Sequence, residues 1–89
     1  MEAEIKALID RLQPGEMLEW DFDTNDEMDL LLMRVRDGGP RKRIETIRLP
    51  YEASDIASRV IEQLVASGKL DPGPYCSTWV RPFLPEVAK

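Results

Sequence analysis

Glu19, Asp21 and Asp23 alternate with Leu18, Trp20 and Phe22, so a strand over this stretch carries one aromatic face and one acidic face. Carboxylates two residues apart on a strand repeat about every 6.8 Å, and Asp26, Glu27 and Asp29 continue the series into a following loop. Such a row offers acid–base catalysis, cation binding, or imitation of a phosphate backbone before a basic protein. The first requires carboxyls shifted toward neutrality by burial or by a close like charge. A water-facing sheet face supplies neither, and the sequence is read as non-enzymatic.

The absence of histidine narrows the chemistry further. It removes the commonest general base, the Ser-His and Cys-His nucleophile pairs and the histidine metal sites. A single cysteine, Cys76, supports neither an internal disulfide nor a cysteine-rich zinc site, and it fits a reducing compartment. Asp21, Asp23 and Asn25 match the first three ligand positions of a calcium-binding EF-hand loop. The match ends there, because Asp26 stands where a glycine must turn and Leu32 where a bidentate glutamate belongs. Gly38-Gly39 runs into Pro40 and a strand, which is no phosphate loop. No cofactor is expected, and no metal.

The charges are sorted along the chain. Residues 16–29 hold seven acids and no base, whereas residues 30–48 hold six bases, Arg34, Arg36, Arg41, Lys42, Arg43 and Arg48, against Asp37 and Glu45. Two binding surfaces follow: an acidic one made of Glu19, Asp21, Asp23, Asp26, Glu27 and Asp29, and a basic hairpin, 34–43, made of Arg34, Arg36, Arg41, Lys42 and Arg43. The acidic surface suits a partner protein with a basic nucleic-acid-binding groove. The basic hairpin suits direct contact with a phosphate backbone. The formal charge of −5 weighs toward the first.

These residues need a scaffold. With 89 residues and 43% hydrophobic content, the chain supports one modest core. No apolar run reaches the roughly 18 to 20 residues of a membrane span, and Met1-Glu2-Ala3-Glu4 is acidic where a secretory signal is basic. The expectation is a cytoplasmic protein without a membrane partner.

Ile5, Leu8, Ile9 and Leu12 predict a first helix ended by Gln13-Pro14-Gly15. Residues 29–36 predict a second strand with Leu31, Met33 and Val35 on one face. A four-residue loop from Asn25 to Met28 then pairs Thr24 with Asp29 and Glu19 with Arg34, leaving Leu30 and Leu32 on the outer face. After a turn at Asp37-Gly38-Gly39-Pro40, a third strand runs from Ile44 to Tyr51, with a bulge where its phase slips between Ile44 and Ile47. Ser54 caps a second helix whose stripe is Ile56, Val60, Ile61, Leu64 and Val65, and Ser67-Gly68 ends it.

Pro72, Pro74, Pro82 and Pro85, interleaved with Tyr75, Trp79 and Phe83, predict an extended tail. The fold class is therefore α+β: helix, three-stranded antiparallel meander, helix, and an extended C-terminal strap. The domain spans 1–70 and the tail 71–89. An edge strand, or Trp79 and Phe83 in the tail, gives a third reading, a self-associating subunit.

The same order of elements occurs in double-stranded-RNA-binding domains, but Ser54-Asp55-Ile56-Ala57-Ser58-Arg59 lacks their lysine-rich second-helix start. In length, acidity and helix, three-strand, helix order, with the Leu31–Gly39 stretch entering a hairpin, the chain resembles small phage-encoded anti-CRISPR inhibitors. The resemblance covers residues 2–68 and is one of layout. It implies an inhibitor that binds a protein, and it assigns no residue a role.

Overall fold

Ile5, Leu8 and Ile9 share the buried side of α1 (Glu2–Arg11), with Glu2 and Glu4 in its first turn and Arg11 in its last, an arrangement that suits the helix dipole. A computed structural model describes residues 1–25, 28–37 and 41–83, with backbone alone at 37 and 41. Leu12 turns extended at the end of α1. Gly15 then takes φ +88°, and an added β-carbon there would stand 2.8 Å from the Phe83 ring. The left-handed φ is what favours glycine, since the Phe83 ring is 76% exposed and can swing aside.

Strands β1 (Met17–Asp23), β2 (Asp29–Asp37) and β3 (Arg41–Leu49) follow, then α2 (Ala53–Ala66), β4 (Asp71–Pro72) and β5 (Thr78–Val80). The five strands form one antiparallel sheet in the order β3-β2-β1-β5-β4. The class is α+β, as expected. The expected strap instead contributes two short strands, because β5 pairs with the free edge of β1, Met17 opposite Val80 and Leu18 opposite Trp79. Both helices pack on one sheet face, where Ile5, Leu8, Leu12, Leu18, Leu30, Leu32, Leu49, Ala53, Ala57 and Ile61 form the main core.

The register of β1 and β2 corrects the expected one by a single residue. Asp23 stands opposite Asp29, Phe22 opposite Leu30, Trp20 opposite Leu32 and Glu19 opposite Met33. A one-residue slip exchanges the two faces of a strand, so Leu30 and Leu32, expected outside, are fully buried in the main core. Met33 and Val35 join Met17 in a second cluster on the opposite face, flanked by Leu31 and Val80. Sequence pattern could not separate the registers, because Leu30 to Val35 is apolar at nearly every position of both phases.

The expected Glu19–Arg34 pair is likewise absent from this register, with Leu18 opposite Arg34. In β3, which starts at Arg41 and ends before Tyr51, the pairing passes from Arg34 opposite Glu45 to Val35 opposite Arg43. Ile44 is the extra residue of a bulge, where the phase slip predicted one. The turn at 38–40 lies outside the described residues.

Helix α2 begins one residue before Ser54. Its first turn is closed by backbone, Ala53 N–H donating to Pro50 O and Ser54 N–H to Tyr51 O, with no side-chain cap. Ala53, Ala57, Val60 and Ile61 are its buried positions. Gly68, at φ +81°, ends it in the left-handed conformation that lets the following amides reach back to Leu64 O. No described helix is long and apolar enough to cross a membrane.

Candidate protein-binding surfaces

The acidic strand lies at the centre of the sheet, and its carboxylates point away from the helices. Asp21 is exposed beside Leu31 of β2, with its Oδ1 accepting the Phe22 N–H at 2.8 Å. Asp23 Oδ1 accepts the Asn25 N–H at 3.0 Å, the Asx bond that opens the turn into β2. One cation serves the end of this row. Arg48 reaches across β2 from β3 to Asp23 Oδ2 at 2.8 Å and Asp29 Oδ2 at 3.2 Å. That hydrogen bond from Arg48, seconded by the Asn25 amide, holds the Asp23 carboxyl below its ordinary range. Glu19 is half-buried opposite Met33. Asp26 and Glu27 lie outside the described residues.

The basic hairpin does not form a single surface. Arg34 and Arg36 share the helix side of β2, with Lys42 opposite Arg36, whereas Arg43 stands opposite Val35 on the other face. The side chain of Arg41 lies outside the described residues. Arg34 and Arg36 are also engaged within the fold. Glu16, the one acidic side chain that is buried among the described residues at 3% exposure, stands 3.2 Å from Arg34 Nε and 3.1 Å from Arg36 NH2. The first contact is an ion pair without hydrogen-bond alignment, and the second is hydrogen-bonded.

Burial alone would push the Glu16 carboxyl up. The Gln13 amide, the Arg36 hydrogen bond and the Arg34 charge outweigh it and hold the group below the usual carboxylate range.

The network extends to the end of α1. Arg34 donates to Arg11 O at 3.0 Å and pairs with Glu45. Arg11 forms a two-point contact with Glu45, 3.0 and 2.8 Å, which holds the Glu45 carboxyl low. Arg81 donates to Leu12 O at 2.9 Å. Two guanidiniums thus satisfy carbonyls that the helix end leaves without amide partners. Sequence reading assigned Arg34 and Arg36 to a phosphate-binding patch because the buried counter-charge, Glu16, lies 18 residues before Arg34 in the chain.

A third feature escaped the sequence. Trp20, Trp79 and Ser77 of the sheet side and Ser58, Ile61, Glu62, Val65 and Ala66 of α2 line a groove of about 480 Å³. The aromatic side chains run on from it: Trp20 meets Phe22 edge-on at 5.8 Å and Trp79 at 6.4 Å, and Phe22 meets Tyr51 at 5.6 Å. The loop before β5 is held by the Thr78 hydroxyl, which accepts the Tyr75 N–H and donates to Tyr75 O. A three-residue strand is too short to show a period, so nothing in the sequence brings Trp79 beside Trp20.

Among the described residues, no group of three or more metal-ligand side chains is arranged to hold an ion. No family model, curated protein or solved structure matches the chain.

Proposed function

We propose that this chain is a non-enzymatic protein-binding module. It engages a basic, nucleic-acid-binding surface of a partner through Glu19, Asp21, Asp23 and Asp29, extended by the loop acids Asp26 and Glu27. An inhibitor encoded by a phage or another mobile element, the role its layout suggests, fits this reading. The supporting observation is the exposure of Asp21 on the central strand, in one row with Asp23 and Asp29. Arg48 engages two of the acids, Asp23 and Asp29, and Asp21 is exposed. Arg34 and Arg36 are drawn into contact with Glu16. Long-range attraction by this row of acids raises the encounter rate with a cationic partner.

The test is capture of partners from host lysate by the tagged chain, with and without nuclease, followed by affinity measurement on the purified partner. Combined charge reversal at Asp21, Asp23 and Glu27 is expected to abolish binding while circular dichroism stays native. Unchanged affinity in that variant overturns the proposal. Partners lost on nuclease treatment transfer the weight to Arg36, Lys42 and Arg43, with affinity that falls steeply with salt.

A further inference from the structure

The groove beside α2 has a composition that selects its occupant. Its lining contains both tryptophans of the chain, with ring planes tilted 58° to each other, so the indoles form a corner and not a stack. Opposite them, α2 presents Ile61 and Val65 at i, i+4 spacing, with Ser58 and Glu62 one turn apart. Glu62 is exposed, is the one charged residue of the lining, and makes no ion pair among the described residues. Ser77, at the rim, is held at φ +55° by a bond from Trp20 N–H to its carbonyl. Backbone strain of this kind is found where surrounding structure must hold a site in shape.

Indole faces are negative and attract a cation within about 6 Å of the ring centroid. A carboxylate beside them adds to that attraction, whereas the aliphatic wall favours methylene groups. An anion is repelled by Glu62. An uncharged apolar group gains the wall but draws nothing from the carboxylate or from the indole faces. The side chain that satisfies every wall has an apolar stem and a planar cationic head able to stack on indole and pair with a carboxylate, which describes arginine better than lysine.

We infer that the groove between α2 and Trp20/Trp79 seats an arginine side chain of a partner peptide. This rests on the proposed reading that the partner is a basic protein, and it uses a different surface from the acidic strand.

Because no other tryptophan is present, intrinsic fluorescence reads this groove directly. The probe is the blocked tripeptide Gly-Arg-Gly, compared with its citrulline counterpart, which keeps the shape and removes the charge. The arginine peptide is expected to give a saturable change, accompanied by amide shifts at Ser58, Glu62 and Ser77. The citrulline peptide is expected to bind about 10-fold more weakly. Glu62→Gln, an exposed substitution with little bearing on folding, should weaken the arginine peptide and spare the citrulline one.

Equal binding of the two peptides, the absence of a saturable change, or an unaltered Glu62→Gln variant overturns the inference. Asp21→Lys separates the two proposals. Tripeptide binding that survives it, beside lost partner binding, supports both, and tripeptide binding retained when partner binding is also unaffected supports the groove alone.

Discussion

The two charged regions of this sheet contain similar residues in opposite conditions. At the end where α1 closes on β2, Glu16, Arg34, Arg36, Glu45 and Arg11 are linked to one another and to helix carbonyls. Around β1 on the other face, Asp21 is exposed and Asp23 and Asp29 share Arg48. The difference lies in the burial of one pair, since the Glu16 and Arg34 side chains are 4% and 17% exposed whereas Asp21 lies open to water. An ion pair out of water is held by mutual need, since removing one partner strands the other, whereas exposed carboxylates contribute little to folding and keep their field for encounters. Charge along the chain therefore does not report which charges a partner meets.

Breaking the closed region should have the largest effect. Glu16→Ala leaves Arg34, only 17% exposed in its side chain, without its buried counter-ion, and the expected loss is about 3 kcal/mol by urea unfolding. Gly15→Ala, at the same end, forces a β-carbon into the left-handed region. A loss of about 1 to 2 kcal/mol in the same measurement is expected.

Acid acts on both regions, since Asp23 is held low as well, and a substitution isolates the closed one. The Glu16 and Glu45 carboxyls are held below their ordinary value of 4.5, so their contribution to stability is fully present above about pH 4.5 and is lost as pH falls through the lower folded values. Thermal melts of the wild type should decline on acidification below that point, and Glu16→Gln should decline less steeply.

The open region should respond least in stability and most in binding. Arg48→Gln releases Asp23 and Asp29 from their shared cation. The melting temperature is expected to move little, while association with a cationic partner becomes faster at low salt and the gain disappears as salt screens it. A variant that melts early without any change in association rate would erase the distinction between the two regions.

Much of the scaffold is legible in the chain because local patterning and punctuation agree. Ile5, Leu8, Ile9 and Leu12 mark α1, Gln13-Pro14-Gly15 its end, Ser67-Gly68 the end of α2, and the phase slip after Ile44 the bulge. Where a stretch is apolar on both phases, as from Leu30 to Val35, alternation loses its information, and the core must choose the register by burying Leu30 and Leu32 beneath the helices.

The acids of β1 could be named from sequence, since spacing two apart places them on one face whatever lies behind. Their partners could not be named in the same way. Arg48 reaches Asp23 across an intervening strand, Arg34 turns to Glu16, and Trp79 comes beside Trp20 only because β5 adds to the free edge of β1. Composition, helix faces, the acidic alternation and the absence of histidine belong to the sequence alone. Register, ion pairing and the tryptophan groove were decided by tertiary structure, because each depends on residues distant in the chain meeting across strands whose pairing local preference does not specify.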